Sequence, residues 1–332
     1  MQTHTLALAV HDSSQVGAAR RAAVTLAEGL GCTPTVGGNV ALVVTELATN
    51  LVRHGGGGEL LVRPTDEGGG LEIVALDRGP GMANVEDALR DGFSTGGSHG
   101  TGLGAVRRIA DRCDIFSAPG AGTAVLARIG PGPGPRGRGP VVSGVSVPMA
   151  GEDICGDAWT WAAEAGRWSV LVADGLGHGA AAALAASEAV RVFRERPMAP
   201  AEDLLGFVHA ALRPTRGAAI GLAQLRPADG EILFTGVGNI GGVVMTAGAS
   251  RNLVSHAGIV GHECRKVQSF SYPWSEGSVL VLYSDGLQTR WTLDRYPALA
   301  ARDPALLAAV LYRDFSRGRD DVTVVAAREV PA

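Results

Sequence analysis

The chain has 332 residues, a hydrophobic share of 46% and a formal net charge of −4; that length and apolar content suit two domains with separate cores, and the mild acidity excludes a basic nucleic-acid surface. Cys32, Cys113, Cys155 and Cys264 are scattered with no CxxC pair, which excludes a zinc knuckle or disulfide framework and points to reduced, buried thiols in the cytoplasm. No signal peptide stands out, and no apolar run approaches the roughly 20 residues of a membrane span.

In the first half, residues 15–30 have helical spacing, and a second helix is expected over about 36–53, with an apolar stripe of Val36, Val40, Val43, Leu47 and Leu51. Glu46, Asn50 and Arg53 fall within about 60° of one another on a different face, so a carboxylate and an amide are presented one turn apart. An ordinary polar helix face has the same pattern. Residues 60–64 and 71–76 read as strands, the latter running into Asp77 of DRGPGM. A strand-ending acid before a glycine turn can accept from an adenine amino group while the backbone comes close. Residues 91–100, DGFSTGGSHG, read as a lid. Thr101-Gly102-Leu103-Gly104 opens a helix over 105–112, whose unpaired N–H groups and positive dipole end suit phosphates. Gly122-Thr123 begins a closing strand to Ile129. The only lysine, Lys266, lies in HECRKVQ, outside any Walker A or kinase-strand context, so an ATP site here works without lysine. His54 and His99 read as structural or lid residues.

Residues 130–140, GPGPGPRGRGP, are too rich in glycine and proline for a persistent helix or strand and read as a linker. Beyond it, residues 168–190, WSVLVADGLGHGAAAALAASEAV, read as a strand, a sharp turn and a helix. Asp174 then stands at a strand tip, either as a cap for the next helix or as an oxygen ligand to a hard cation. Asp157 in DICGDAW, Asp285 in YSDGL, and Asp320 and Asp321 in RGRDDVTVV repeat the placement at other strand ends. Carboxylates converging from several strands repel unless cations stand among them, which argues for a metal pair. His178 in the glycine turn either orients that turn or its ligand, or is structural. GVGNIGG, residues 236–242, reads as a strand bend near the acids, whereas Asp203, Asp229 and Asp303 are accounted for by capping or solvation.

TELATNLVRHG, DRGPGM, GTGLG and AGTAVL occur in the order found in GHKL ATP-binding domains. Together with DGFSTGGSHGTGLGAVRRIAD and PGAGT they resemble the RsbT-type switch-protein serine kinases of the stressosome pathway, over nearly all of residues 1–130. The resemblance implies a two-layer α/β sandwich, a helix layer on a mixed sheet. It also implies that Asn50 holds the Mg²⁺ of ATP, Glu46 is the base for the substrate hydroxyl, and Asp77 reads adenine with Gly79, Gly81 and Thr123 nearby. Gly100, Thr101, Gly102, Leu103 and Gly104 then line the phosphates.

CGDAW, ADGLGHG, YSDGL and RDDVTVV resemble the SpoIIE-like branch of metal-dependent type 2C protein phosphatases, with DGLGHG especially similar to the RsbX-type, over residues 141–330. That likeness implies two packed antiparallel sheets flanked by helices. Asp174 would bridge two Mn²⁺ or Mg²⁺ ions, with the Gly175 carbonyl, Asp157, Asp285 and Asp320, or alternatively Asp321, completing the site. Cys155 stands where the branch commonly has the first glycine of GGD. The expectation is a cytoplasmic regulator that uses ATP to phosphorylate, and metal to dephosphorylate, STAS-domain anti-anti-sigma or stressosome-type proteins, with no nucleic acid and no membrane involved. The alternative is a phosphatase whose first domain only senses ATP or docks a partner.

Overall fold

Asp12 starts the first helix: its side chain accepts from the Ser14 N–H, and Gln15 reaches back to the cap backbone, so two orphan donors are satisfied reciprocally. The computed structural model describes residues 5–65, 68–89, 102–130, 139–246, 249–264 and 266–330. The chain divides into two compact units, one of Thr5–Arg136 with Thr292–Val310, the other of Gly137–Trp291 with Leu311–Ala332.

The first unit runs β1 (Leu6–Val10), α1 (Ser13–Gly29), α2 (Pro34–Asn50), β2 (Gly58–Pro64), β3 (Leu71–Leu76), a short α3 (Val85–Ala88), α4 (Gly102–Ile109), β4 (Arg112–Ser117) and β5 (Thr123–Ile129). The strand order is β1-β2-β3-β5-β4, and every pairing is antiparallel rather than mixed. Alternate residues of β2, β3 and β5, among them Leu60, Val62, Ile73, Ala75, Val125 and Ala127, pack with the α2 stripe of Val36, Val40, Val43, Leu47 and Leu51 in one core. Residues 34–55 form a helical stretch long and apolar enough, by length and composition, to cross a membrane; the sequence had been expected to hold none, and here the apolar stripe is buried against the sheet. After Asn50 the helix widens into one π-turn, Leu51–Gly55, closed by left-handed Gly56. The helix expected over 105–112 lies one turn earlier, because Arg112 already pairs with Arg128 as the start of β4.

The other face of this sheet carries charge. Glu72 on β3 takes Arg63 (2.7 Å) and Arg128 (2.6 Å), and is only 3% exposed. Arg128 also forks onto both carboxylate oxygens of Asp303 (2.9 and 3.0 Å), and Arg112 reaches the same group at 2.8 Å. Asp303 does cap the Ala305 N–H as expected, yet it is 2% exposed and clamped by two arginines rather than solvated. The Phe116 and Tyr296 rings of the same unit meet edge-on.

The second unit adds β6 (Gly139–Val147), β7 (Asp157–Glu164), β8 (Arg167–Gly175), α5 (Ala180–Glu195), α6 (Ala201–Leu212), β9 (Ala218–Arg226), β10 (Glu231–Val237), β11 (Gly241–Thr246), β12 (Ala249–Asn252), β13 (Ser255–His256), β14 (Phe270–Pro273), β15 (Val279–Tyr283), α7 (Pro304–Phe315, entering from the other unit) and β16 (Val322–Val330). One sheet has the order β13-β10-β9-β8-β7 with β14 on β10, the other β12-β11-β15-β16-β6. Trp159, Trp168, Val170, Phe234, Leu280, Leu282 and Val325 fill the core between the two sheets. The alternate residues Leu171, Ala173, Ile220 and Leu222 pack under α5 and α6. Residues 131–138 of the expected linker lie outside the described residues, and Gly139 and Pro140 are already paired with Val330 and Glu329.

Candidate functional site

In the first unit α2 presents Glu46 and Asn50, half-buried and one turn apart. Gly102, the first residue of α4, lies against them: a Cβ there would stand 3.3 Å from Asn50 Oδ1 and 3.8 Å from Glu46 Oε2. Among the described residues the buried Asn50 amide nitrogen has no hydrogen-bond partner, a donor that a bound acceptor would satisfy. The π-turn brings Gly55 onto Asp77, where a Cβ would come within 2.6 Å of the Asp77 Cβ. Asp77 follows β3, and its Oδ1 accepts from the N–H groups of Gly79 (2.8 Å) and Thr123 (3.1 Å). Gly81 has φ +69°, and a Cβ would lie 2.0 Å from the Ala118 carbonyl oxygen. The structure thus brings Glu46, Asn50 and Gly102 together, and separately Asp77, Gly79, Gly81 and Thr123. Leu103 packs on the core and Gly104 is buried. Gly100, Thr101, His99 and the lid over 91–100 lie outside the described residues.

Sequence reasoning missed Ser117. Its hydroxyl receives the Met82 N–H (2.8 Å), bonds the Gly122 carbonyl and lies 3.0 Å from the Thr123 hydroxyl, locking the glycine turn to β4 and β5.

In the second unit Asp157 opens β7 directly opposite Asp174 near the end of β8. Burial raises the Asp174 carboxyl well above the usual range, and repulsion from Asp157, Asp285 and Asp320 adds to it. Burial raises Asp157 as well, against the pull of the Ser284 hydroxyl. The repulsion between the two carboxyls is one that a cation placed among them would relieve. Among the described residues no three His, Cys, Asp or Glu are drawn into a group that could hold a metal ion. The four acids face one another electrostatically without closing up, as like charges do; Asp285 is turned onto the Asn239 amide at 2.6 Å. The fit is to a hard cation that takes one or two carboxylates, a backbone carbonyl and waters.

Asp320 and Asp321 differ. Both oxygens of Asp321 accept backbone N–H groups, Met149 at 2.8 Å and Gly156 at 2.9 Å, while Asp320 Oδ1 takes the Asp321 N–H. Gly156 has no room for a side chain, since a Cβ would stand 2.6 Å from Asp321 and 2.8 Å from Ala182. A Cβ on Gly175 would stand 2.1 Å from the Ala182 carbonyl oxygen, so the turn lies flush on the start of α5. His178 bonds Glu152 at 2.7 Å through Nδ1. The bend at 236–242 does approach the acids, through Asn239. All four cysteines are free, but only Cys155 is fully buried, its thiol pushed up by burial and by Asp157 and Asp321.

Comparison with known proteins matches the two halves of the chain to different families. The family described as Histidine kinase-like ATPase domain matches residues 10–129, and Stage II sporulation protein E (SpoIIE) matches residues 164–329. The serine/threonine-protein kinase RsbT of Bacillus subtilis (strain 168) is 34% identical over 112 residues, 33% of this chain and 84% of its own. A solved structure from "The bacterial stressosome: a modular system that has been adapted to control secondary messenger signaling" is 27% identical with a TM-score of 0.53, covering 57% of this chain and 100% of its own. RsbX in complex with magnesium shares the fold, at 18% identity and a TM-score of 0.50 over 57% of this chain and 96% of its own. The chain therefore belongs to the SpoIIE family through its second half and to the RsbT-like histidine kinase-like ATPase domains through its first.

Proposed function

We propose that this chain both adds and removes phosphate on serine or threonine of one class of switch protein, STAS-domain anti-anti-sigma or stressosome-type regulators, in the bacterial cytoplasm. The type 2C half is a protein serine/threonine phosphatase domain, and the two families use ATP and divalent metal in general. The observation that carries the reading is Asp157 paired across β7 and β8 with Asp174, with Asp285 and Asp320 in electrostatic reach.

When bound, a pair of Mn²⁺ or Mg²⁺ ions lowers the pKa of a shared water and holds phosphate oxygens for in-line attack. Asp174, the Gly175 carbonyl, Asp157, Asp285 and Asp320 are the groups we assign as those that would hold the ions. Asp320 is preferred to Asp321 because both Asp321 oxygens are committed to backbone N–H groups. In the first domain Asn50 would hold the Mg²⁺ of ATP through Oδ1, beside which Gly102 leaves open space, while its buried amide N–H groups would be free to donate to an acceptor such as a phosphate oxygen. Glu46 would take the proton from the attacking hydroxyl, and Asp77, with Gly79, Gly81 and Thr123 around it, would read adenine. The pairing of Glu46 with Asn50 on one helix face favours transfer over mere nucleotide sensing or partner docking.

The test incubates a STAS protein with ATP and either Asp174→Asn or Glu46→Ala. Phosphate should accumulate with the first variant and disappear from prephosphorylated substrate with the second. ATP binding without transfer in Asp174→Asn would reduce the first domain to a sensor, and phosphopeptide hydrolysis surviving EDTA would overturn the metal assignment.

A further inference from the structure

We propose that Ser284, backed by Thr323 and Ser146, is a positioning residue that aims the Asp157 carboxylate for a divalent cation. The proposal rests on the phosphatase reading above and adds the part of the protein that makes Asp157 a defined ligand.

Asp157 is the first residue of β7 and belongs to the six-stranded sheet, but the hydroxyls that hold it come from the opposite sheet. Ser284, just past β15, donates its hydroxyl to Asp157 Oδ2 at 2.6 Å. The same Ser284 oxygen accepts the Thr323 N–H at 2.8 Å, while the Ser284 N–H returns to the Thr323 carbonyl at 3.0 Å. With an acceptor site of Ser284 taken by β16, its proton is directed onto Asp157. The Thr323 hydroxyl lies 2.5 Å from the Ser146 hydroxyl on β6 and close enough to the Asp157 carboxyl to favour its charged form. Ser284 and Thr323 are fully buried, and Asp157 and Ser146 are 2% exposed, so water cannot replace a lost donor. Ser284, held from behind by the Thr323 backbone, therefore donates to Oδ2 of a carboxylate whose partner across the strand pair is Asp174, and the Thr323 hydroxyl is itself paired with Ser146 on β6.

Buried, fully satisfied hydrogen bonds of this kind rigidify what they hold, and partners behind a metal ligand fix its orientation. The aim of Asp157 is thus set by how the two sheets pack. A residue that only knits the sheets together would affect folding and leave cation affinity alone.

Mn²⁺ binding to the full chain by calorimetry separates the two roles, with thermal melts in EDTA run beside it. Ser284→Ala should weaken Mn²⁺ binding by about 10- to 100-fold. Thr323→Val, of similar shape but without the hydroxyl, should weaken it too, and Thr323→Ser should hold wild-type affinity. Unchanged Mn²⁺ affinity in both Ser284→Ala and Thr323→Val, whatever their melting temperatures, would overturn the proposal, as would equal losses in Thr323→Ser and Thr323→Val. If Ser284→Ala does not fold, the Thr323 pair decides by the same criteria. Wild-type protein that binds no Mn²⁺ would sink the phosphatase reading itself.

Discussion

Asp77 uses one oxygen, Oδ1, to pin both the Gly79 and Thr123 backbones, so the turn around it and the adenine contact we assign to it can be separated. Asp77→Asn keeps a carbonyl oxygen for the two N–H groups but replaces an acceptor with a donor; nucleotide binding should fall by about tenfold, the worth of roughly one hydrogen bond. Calorimetry with ATP at unchanged melting temperature checks this. Gly81→Ala should instead destabilise the first unit by more than about 1 kcal/mol, because a left-handed φ and the Ala118 carbonyl both oppose a side chain; a denaturant midpoint reads it. In the other unit Asp174→Asn should cost more than about 100-fold in phosphopeptide hydrolysis, beyond what the loss of a supporting group behind a ligand costs. Asp77, Asp157 and Asp174 were legible because each joins an apolar run to a glycine within a few residues, a local signal. Ser117, Asn239, Ser284 and the clamp on Asp303 were not, since their partners lie 35, 46, 127 and 175 residues away in sequence.

Elements with a strong local pattern matched their reading: β3 spans 71–76 as expected, and α5 starts at Ala180 after its glycine turn. The π-turn at Leu51–Gly55 and the strand at Arg112–Ser117 escaped, because one extends a helical pattern and the other is fixed by its pairing with β5. The charged face of the first sheet was equally hidden, a hydrophobic pattern giving no hint of Glu72 among Leu71 and Ile73. Burial alone would raise the Glu72 carboxyl, yet the guanidiniums of Arg63 and Arg128 outweigh it and hold the group down at about 2. A depressed carboxyl stabilises above its unfolded value of about 4.3 and loses that contribution as pH falls toward 2. For a fully buried group lowered from 4.5 to about 2, the loss is on the order of 3–4 kcal/mol at about 1.4 kcal/mol per unit. Melts of wild-type protein and Glu72→Gln between pH 7 and about 2.5 should converge as the acid limb is reached; a Glu72→Gln curve parallel to wild type throughout would refute this. Asp303→Ala leaves Arg128 and Arg112 without their shared partner and should cost about 3–5 kcal/mol in the first unit, read by urea unfolding.

At the scale of the whole molecule, the families follow one another along the chain but the compact units do not: Thr292–Val310 falls within the SpoIIE match at 164–329 and yet belongs to the unit that holds β1 to β5. This return of the chain was not readable from composition, because nothing in YPALAARDPALLAAV distinguishes one apolar partner from another. A fragment ending at Arg136 should accordingly melt lower than the same unit in the full chain and regain stability when a peptide of residues 292–310 is added in trans. Equal melting with and without the peptide would show the segment to be dispensable. The arrangement also sets a timetable during synthesis. The ribosome must add 156 residues, 292 minus 136, after Arg136 before the returning segment begins to appear, which at bacterial-scale rates of 5–20 residues per second takes roughly 8 to 31 s. Throughout that interval the nascent first half waits with Arg128 and Arg112 lacking the carboxylate of Asp303, so a chain interrupted in its second half leaves the cell with an unfinished first one.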